Sequence, residues 1–487
     1  MTNLHATMIF NVKTVYALKK ESCACAMSPI QQPSTLDADI LREHSAKIVS
    51  RCTWPRERLL ALQSERLKAT LRHAAAASQY YREVIGDLVA RKAPLEEFPV
   101  LTKRLLMQNF DRIVTDARLS RKLVEDHLGG DDPGSPLLGE YRVAATGGTT
   151  GEKGLAVFDG PAWLDAIGNT LRFQKIVGID ETTKSIAIFA SSAVHISHRI
   201  GTELRAFRPP APKLNVLMRI EDIVETLNNH QPEVISTYPS FVRVLAKEEA
   251  AGRLRIMPRL VRTSAETLTI DVREIVTAAW GATVANSYTC TEAGAMGHEC
   301  LLASGLHLAE DAFLFEVVNA DNRRVPNGTA GAKLLVTTLT NRALPLIRYE
   351  ISDIVTLATE PCRCGLPFWR IASIDGRREE VLQFVGREGE TIDVHAHRLR
   401  SLLTGAKGVR QFQFCQLLDG LEITISVFPE FDRETVASEV EMAVRSTLET
   451  VGARPERVAV RTVDLIARSG SGAKEKLVIR ENEPGKQ

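Results

Sequence analysis

Apolar residues recur at helical spacing near the start of the chain and gather into short strand-like runs further on. Residues 54–82 have this helical spacing and contain no Gly or Pro after Pro55, which predicts one amphipathic helix. The middle of the chain alternates short apolar runs with helical stretches, which predicts an α/β fold around a sheet. The predicted strands are 185–191, 234–239, 259–266 and 282–289, and the predicted helices are 219–230 and 270–281.

The pattern changes twice towards the C-terminus. Residues 308–358 are rich in strand-like runs and predict a small β-subdomain. After a charged turn at 375–380, the runs VRQFQFCQ, LEITISVF and ERVAVRTV predict strands and residues 431–450 predict a helix, which together give a βαβ-like unit. The predicted fold class is α/β, with a large N-terminal α/β domain that carries the β-subdomain and a small α+β C-terminal domain. The predicted boundaries are a disordered tail at 1–40, the N-terminal domain at 41–376 and the C-terminal domain at 377–487.

Composition is that of an ordinary globular protein. With 487 residues, of which 44% are hydrophobic and 25% charged, the chain has room for two or three domains. The net charge of +1 provides no field that would recruit nucleic acid or anionic lipid, and no apolar run reaches the roughly 18 residues of a membrane span. We therefore expect neither nucleic acid nor membrane as a partner. Eight cysteines in a chain of this length indicate a reducing, cytoplasmic setting.

The first residues do not read as a secretory signal, because Asn11, Lys13, Lys19 and Lys20 interrupt their apolar positions. The tail prediction rests on this pattern. The sequence leaves open whether translation starts at Met1 or at Met27.

A run of glycines and threonines within YRVAATGGTTGEKG, residues 141–154, is the first candidate for chemistry. Glycines leave backbone N–H groups unshielded, and the threonines add hydroxyl donors, an arrangement that suits a phosphate. No Lys-Ser/Thr pair follows the glycines at the spacing of a Walker loop. Taken alone, the run is equally typical of a flexible turn. The residues concerned are Thr146, Gly147, Gly148, Thr149, Thr150 and Gly151.

Motifs along the chain resemble, in order, those of the adenylate-forming enzymes, which are the acyl- and aryl-CoA synthetases and their relatives. The glycine run resembles their nucleotide loop; NSYTCTEAG (286–294) resembles the Tyr-Gly-x-Thr-Glu motif, LPLIRYEISDIV (344–355) the Tyr-Arg-x-x-Asp motif, DGRREEVLQF (375–384) the hinge and SGSGAKEKLVIRE (469–481) the final Gly-Lys loop. The runs GLHLAEDAFLFEV, VTTLTNRALPLIRYE and PCRCGLPFWRIASIDGR resemble the phenylacetate–CoA ligase branch. The resemblance extends from residue 54 to the end of the chain.

The resemblance implies a ligase that uses ATP and Mg²⁺. It would activate a carboxylic acid, aromatic or cyclic, to an acyl-adenylate with release of pyrophosphate, and then transfer the acyl group to coenzyme A. An amide-forming ligase that transfers the acyl group to an amino acid amine is the alternative. Loading of a carrier protein and a non-catalytic nucleotide-binding regulator also remain open. The sequence reveals neither the particular acid nor the oligomeric state.

The resemblance also assigns roles to residues. Thr291 would donate to the α-phosphate, Glu292 would hold Mg²⁺, and Tyr288 would stack on adenine. Asp353 would accept hydrogen bonds from the ribose hydroxyls. Lys474 would be the catalytic lysine, delivered by rotation of the C-terminal domain about residues 377–380. The wider nucleotide-binding set adds the glycine run with Ser264, Ala265, Glu266, Asn286, Ser287 and Arg377, and the acid pocket would be lined by Ser191, Ser192, Ala193, Tyr238 and Phe241.

The chain departs from the family pattern at several positions. Glu152 stands where the family often has a loop lysine, and Lys153 follows one position later. Thr289 replaces the glycine after the tyrosine, and Glu379 is a longer acid than the hinge usually carries. Lys476 is the alternative to Lys474. Arg348 would brace the ribose-binding segment, and no basic residue stands out as a clamp for a second carboxylate.

Cysteines and histidines cluster in HECLLASGLH (298–307) and PCRCG (361–365). Thiolates and imidazoles are the ligands that tetrahedral Zn²⁺ prefers. We take Cys300, His307, Cys362 and Cys364 as the candidate ligands of a structural zinc ion. Ordinary thiols in a turn are the alternative, since Cys-x-Cys is tighter than the usual spacing.

Overall fold

Helices fill the N-terminal part of the chain, and strands and helices alternate after it. The computed structural model describes residues 38–146, 154–190, 194–205, 208–377, 380–466 and 477–481. The helices are α1 (Ala38–Ser50), α2 (Arg56–Ala77), α3 (Gln79–Ala90), α4 (Lys103–Gln108), α5 (Phe110–Ile113), α6 (Arg121–Gly129), α7 (Gly160–Ile176), α8 (Ile196–Leu204), α9 (Ile220–His230), α10 (Pro239–Ala250), α11 (Ile270–Trp280), α12 (Ala396–Gly405) and α13 (Arg433–Thr450).

The strands form several sheets of different size. They are β1 (Arg142–Ala145), β2 (Leu155–Phe158), β3 (Ser185–Phe189), β4 (Leu214–Asn215), β5 (Val234–Thr237), β6 (Leu260–Ser264), β7 (Thr283–Cys290), β8 (Gly294–Glu299), β9 (Leu306–Leu308), β10 (Phe313–Val318), β11 (Lys333–Thr338), β12 (Tyr349–Ile351), β13 (Asp353–Leu357), β14 (Arg370–Arg377), β15 (Val381–Val385), β16 (Thr391–His395), β17 (Val409–Gln416), β18 (Gly420–Val427), β19 (Arg457–Val463) and β20 (Val478–Arg480).

A nine-stranded sheet in the order β13-β14-β9-β8-β7-β6-β5-β3-β4 is the centre of the fold. Its pairs from β4 to β7 are parallel, and those from β7 to β13 are antiparallel. Apolar side chains of β3, β5, β6 and β7 pack against α9, α10 and α11 on one face, and α7 packs against β8 on the other. Burial on both faces explains the continuous apolar runs. The α/β prediction, with its strands and helices in this region, is confirmed.

The predicted single helix over 54–82 is wrong, because the chain forms α2 and α3 with a break at Ser78. This residue has extended backbone angles, and its Oγ accepts a hydrogen bond from Tyr81 N, which is an N-cap. The same Oγ donates to the carbonyl of Arg112 at 2.9 Å. A serine within an apolar helical pattern therefore starts a new helix, where the periodicity alone indicates continuity.

The predicted β-subdomain over 308–358 is observed for the antiparallel sheet β10-β11-β12. Its last strand lies elsewhere: β13 pairs with β14 at the edge of the large sheet. This difference matters for the site, because β13 begins with Asp353.

The C-terminal part has its own sheet and its own apolar core. The sheet has the order β19-β18-β17-β20, and α13 connects the parallel strands β18 and β19 as the predicted βαβ-like unit. The core contains Leu382, Leu399, Phe414, Ile423 and Val444, all fully or almost fully buried. The boundary between 376 and 377 stays a prediction. Residues 1–37 lie outside the described residues, and α1 starts within the last residues of the segment predicted as a tail.

Among the described helices, none is both long enough and apolar enough to cross a membrane.

Candidate active site

A cleft of about 1790 Å³ lies at the carboxyl ends of β5, β6 and β7, where the C-terminal part of the chain faces them. Ligands of α/β proteins bind at this edge of the sheet. Several residues predicted to bind the nucleotide or the acid line the cleft; they are Tyr238, Phe241, Ala265, Glu266, Asn286, Ser287, Tyr288, Asp353 and Arg377. Three residues of the C-terminal part, Arg400, Phe412 and Arg480, line it as well.

The structure brings together three predicted nucleotide residues around the carboxylate of Asp353. Tyr288 Oη donates to Asp353 Oδ2 at 2.6 Å, and Arg377 Nε donates to Asp353 Oδ1 at 3.2 Å. Burial, and then the charge of Asp353, raise the pKa of Tyr288 well above its ordinary value, so the phenol remains a donor. The arrangement holds the Asp353 carboxylate at the cleft wall, where its oxygens can accept hydrogen bonds from a vicinal diol.

Glu292 lies in a second cluster, with Tyr349 as its hydrogen-bond partner and with Lys103 nearby, and the sequence indicated neither of them. Tyr349 Oη donates to Glu292 Oε1 at 3.1 Å, and Lys103 Nζ donates to Thr146 Oγ1 at 3.3 Å. A Cβ placed on Gly154 would lie 2.7 Å from Glu292 Oε1 and 2.9 Å from Lys103 Cε. A side chain at 154 would therefore displace the Glu292 carboxylate or the end of the Lys103 side chain from this space.

The residues that flank the predicted phosphate loop, Thr146 after β1 and Gly154 before β2, lie at this cluster. Thr146 N donates to the carbonyl of Gly154 at 2.9 Å, and Gly154 N donates to Thr146 Oγ1 at 2.8 Å. The two residues thus close the hairpin at the base of the loop. A carboxylate suited to Mg²⁺, a lysine and a hydroxyl next to a glycine-rich loop form a donor set that fits a polyphosphate with its metal ion.

The segment Ser264–Glu266 turns sharply at the carboxyl end of β6. Ala265 has φ +68°, which is rare for a residue with a side chain and is often found at functional sites. The carboxylate of Glu266 accepts from Ser240 N and Ser240 Oγ, both at 3.0 Å, at the start of α10. Asn286 accepts from Thr263 Oγ1 at 3.0 Å, so its side chain lies on the α10 and α11 face of the sheet.

The residues predicted to bind the acid lie in different environments. Tyr238 is buried, and its Oη accepts a hydrogen bond from Ala190 N at 3.2 Å, next to the ring of Phe189. Phe241 belongs to α10 and is buried in the apolar core between this helix and the sheet. Thr291 follows β7 directly and is partly exposed.

Arg348 is fully buried and donates to Glu316 and to the carbonyls of Glu96, Phe98 and Asn322, so it braces its segment as expected.

Other predicted residues lie outside the described residues, and their roles stay predictions. They are Gly147, Gly148, Thr149, Thr150, Gly151, Glu152 and Lys153 of the glycine run, Ser191, Ser192 and Ala193 of the acid pocket, Glu379 of the hinge, and Lys474 and Lys476 of the final loop.

The four candidate zinc ligands converge. Their ligand atoms, from Cys300, His307, Cys362 and Cys364, all lie within 4.8 Å of one another. Cys300 Sγ and Cys362 Sγ are 3.8 Å apart, and Cys364 Sγ lies 3.3 Å from His307 Nε2. Two thiolates at about 2.3 Å from one tetrahedral ion would be about 3.8 Å apart, so the spacing fits zinc and excludes a disulfide.

Surrounding groups orient these ligands. His307 Nδ1 donates to the carbonyl of Phe368 at 3.1 Å, which leaves Nε2 as the ligand atom. Burial raises the pKa of Cys362, but hydrogen bonds from Ser304 and its neighbours outweigh burial and lower it to about 7. Burial raises the pKa of Cys364 to about 12.

Comparison with curated proteins gives relatives of one main kind. No family model matches the chain. It is 27% identical to the phenylacetate-coenzyme A ligase of Thermus thermophilus, over 80% of this chain and 86% of the relative. It is also 27% identical to the Escherichia coli phenylacetate-coenzyme A ligase, over 67% of this chain and 72% of the relative. The protein CapK of Staphylococcus aureus is 23% identical over 67% and 69% of the two chains.

Solved structures agree on the fold. A 2-hydroxyisobutyryl-CoA ligase in the postadenylation state, in complex with an acyl-AMP, superposes with a TM-score of 0.69 at 20% identity, over 89% of this chain and 91% of that one. In its thioesterification state, with CoA, the same ligase has a TM-score of 0.56, over 88% and 92%. The fold is that of the adenylate-forming CoA ligases. In sequence the chain is similar to the phenylacetate-coenzyme A ligases named above, and the resemblance read from the motifs is confirmed.

Proposed function

We propose that this chain is an AMP-forming acid–CoA ligase. A carboxylate oxygen of the acid attacks the α-phosphorus of ATP, the bond to the β-phosphate breaks, and pyrophosphate leaves. The thiol of coenzyme A then attacks the carbonyl carbon, AMP departs, and the thiol proton is released to solvent. The named CoA ligases among the relatives support CoA as the acceptor, whereas the amino acid acceptor has no support among the relatives described above.

The observation that carries this proposal is a pair of carboxylate clusters, one around Asp353 at the cleft wall and one around Glu292 near the base of the predicted phosphate loop. Asp353, held by Tyr288 and Arg377, would accept the ribose hydroxyls. Glu292, next to Lys103 and Thr146, would hold the Mg²⁺ that accompanies the phosphates. Bound Mg²⁺ would offset phosphate charge, and Lys103 would add a second positive charge from the protein.

Exchange of labelled pyrophosphate into ATP tests the first half-reaction, with acids of aromatic, cyclic and short aliphatic type and without acceptor. We expect exchange that depends on the acid. Glu292→Gln should lower it by about 10²–10³-fold, because one group that stabilises the transition state is lost. Asp353→Asn should raise the KM for ATP, and Asp321→Asn, at an exposed turn, serves as the control.

The second half-reaction is tested by adding coenzyme A and measuring thioester. If no acid in the panel supports exchange, or if Glu292→Gln exchanges like the wild type, the proposal is wrong. If exchange occurs but thioester forms with no acid, the adenylation half stands and another acceptor replaces coenzyme A.

We also propose that Cys300, His307, Cys362 and Cys364 hold a structural Zn²⁺. The donor set and the 3.8 Å sulfur separation support it. Because these loops flank β9 and β14, the ion would fix the edge of the large sheet beside the cleft. Metal analysis of the purified chain should find about one equivalent, and Cys364→Ser should lower it, with Cys52→Ser as control; under ~0.2 equivalents in the wild type would remove the site.

A further inference from the structure

Arg262 is a cation in the middle of the large sheet for which the described residues supply no partner. It lies in β6 between the buried residues Val261 and Thr263, and no hydrogen bond or ion pair reaches its guanidinium within the described ranges. Its Nε is sealed from solvent, yet the side chain as a whole is only partly buried. The guanidinium end therefore borders an open space on the face of the sheet that α7 covers. Buried charges in proteins are normally paired.

The sheet register places other unsatisfied groups on the same face. Arg262 and Ser264 share a face, Ser264 lies beside Ser287, and Ser287 lies beside His298. Ser287 Oγ and His298 Nε2 are buried and have no partner among the described residues. Phe173 of α7 stacks on His298 with ring centroids 5.4 Å apart, so α7 covers this face of the sheet at His298.

The electrostatics of this face favour an anion. Burial, and then the charge of Arg208, lower the pKa of Arg262 to about 10, which leaves it charged at neutral pH. Arg208 itself donates to the neutral side chains of Ser185 and Gln174. Two cations thus face one region, and none of the described carboxylates forms an ion pair with either.

The hydrogen-bonding inventory points to an acceptor group. The guanidinium offers five N–H donors and no acceptor, the Ser287 hydroxyl offers one donor and can accept through two lone pairs, and His298 Nε2 offers one lone pair. His298 Nδ1 bonds the carbonyl of Glu299, which fixes its proton there and leaves Nε2 as a lone pair. Donors therefore outnumber acceptors, as is appropriate for a carboxylate, whose two oxygens pair with a guanidinium fork.

This face of the sheet borders the cleft at Ser287. Ser287 lines the cleft and also stands on the α7 face, next to Tyr288 of the nucleotide cluster. Arg262 lies two residues deeper along β6 than Ser264, which is about 7 Å at the rise of a parallel strand. An acid whose reacting carboxylate lies at the carboxyl edge of the sheet would extend its far end towards Arg262.

We propose that Arg262, assisted by Ser287, binds a second carboxylate at the far end of the substrate, so that the preferred substrate class is a dicarboxylic acid. This inference rests on the proposed function, and it corrects the expectation that no basic residue stands out as a clamp. Arg262 is a specificity-determining residue; the adenylation chemistry itself does not depend on it.

The test compares matched acids in pyrophosphate exchange: terephthalate against 4-methylbenzoate, and the dicarboxylates from succinate to suberate against the monocarboxylates of equal length. We expect the wild type to favour the best dicarboxylate over its partner by at least tenfold in kcat/KM. Arg262→Met should lower kcat/KM for that dicarboxylate by about 100-fold or more and raise it for the monocarboxylate, with the KM for ATP unchanged. Arg255→Met, at an exposed loop before β6, is the matched control.

A second measurement does not require catalysis. Thermal unfolding is followed with and without terephthalate or the aliphatic dicarboxylates, in the absence of ATP. The dicarboxylate should raise the Tm of the wild type and not that of Arg262→Met, and without ligand the variant should melt at or above the wild-type temperature because an unpaired buried charge has been removed.

The outcomes separate the two proposals. Exchange that favours the monocarboxylate in every pair, or that Arg262→Met reduces equally for both members, overturns the dicarboxylate inference and leaves the ligase intact. Absence of exchange together with dicarboxylate stabilisation of the wild type alone overturns the ligase and supports the anion site. Neither exchange nor stabilisation overturns both.

Discussion

The ammonium group of Lys103 lies at the base of the loop proposed to bind the phosphates of ATP. It donates to Thr146 at the base of the glycine run, and its Cε and the carboxylate of Glu292 both flank the space at Gly154. We expect Lys103→Met to raise the KM for ATP by about tenfold or more while the KM for the acid stays the same, because a phosphate contact is removed at a distance from the acid. Pyrophosphate exchange at varied ATP measures this.

The neighbouring Arg104 provides the control for Lys103, since it is exposed on the same turn of α4. Arg104→Met should leave both KM values unchanged. Equal effects of the two substitutions would mean that only the general surface charge matters and that Lys103 has no specific phosphate contact.

His298 should make the stability of the protein depend on pH. Burial lowers the pKa of His298 to about 3 in the folded chain, whereas an unfolded histidine titrates near pH 6.5. Below about pH 6.5 the unfolded state therefore binds a proton that the folded state does not, and stability falls with pH by up to about 1.4 kcal/mol per unit. Urea unfolding at pH 7, 6 and 5 should show a steeper loss for the wild type than for His298→Asn.

His73, a partly exposed histidine of α2, is the control for histidine replacement in general. If His298→Asn loses stability with pH as steeply as the wild type does, the proton uptake belongs to other groups and the buried, neutral state of His298 is not supported.

At the residue scale, motifs identified candidate residues that the structure places in two carboxylate clusters, and their roles stay predictions. Tyr288 and Asp353 form one cluster at the cleft, and Glu292 lies in the other. Lys103 and Arg262 were missed, because nothing in their local sequence indicates what they face. The available signal for Arg262 was its position within the apolar run LVRTS, because a charged residue in a central parallel strand is rare unless it has a partner.

At the element scale, the break between α2 and α3 offers a direct measurement. Ser78 caps α3 through its Oγ and donates to the carbonyl of Arg112, and it is fully buried. Ser78→Ala should lower the free energy of unfolding by about 1–2 kcal/mol, because the N-cap and a buried carbonyl both lose their partner. Chemical denaturation measures it, and Ser64→Ala, exposed within α2, should change it by less than about 0.5 kcal/mol. A Ser78 effect no larger than that of Ser64 would contradict the capping role.

Helices and strands were predictable from the sequence where the pattern of apolar residues alone determines them. Strands β5, β6 and β7 are buried on both faces and are therefore visible as apolar runs. The partner of a strand is not encoded in its own residues, so β13 was assigned to the β-subdomain although it pairs with β14. The helix break at Ser78 was missed for a related reason, since capping involves a single side chain while periodicity averages over many.

At the scale of the whole molecule, few charged contacts join the C-terminal part to the large sheet. Lys247 of α10 lies 3.4 Å from the centre of the Phe428 ring, and Arg400 of α12 lies 3.9 Å from the carboxylate of Glu266. Both contacts lie beside the cleft. A C-terminal domain that must rotate between two half-reactions needs contacts weak enough to break in each cycle, and a cation–ring pair of about 0.5–2 kcal/mol meets that requirement.

Phe428→Ala should therefore separate the two half-reactions. If the observed arrangement is the one that adenylates, losing its contact with Lys247 should slow acid-dependent pyrophosphate exchange by about 2- to 30-fold, the range that corresponds to the energy of such a pair. Thioester formation from supplied acyl-adenylate and coenzyme A should be as fast as in the wild type or faster. Lys474→Ala, at the proposed catalytic lysine, should block the first reaction almost completely and spare the second.

Two comparisons make this result interpretable. Leu418→Ala alters an exposed side chain of the C-terminal part and should change neither rate. Lys247→Ala combined with Phe428→Ala should cost no more than the larger single effect, because each removes the same contact. Equal slowing of both half-reactions by Phe428→Ala would mean that the ring stabilises the C-terminal part itself. Additive effects of the two substitutions would mean that the cation–ring contact does not hold the adenylating arrangement.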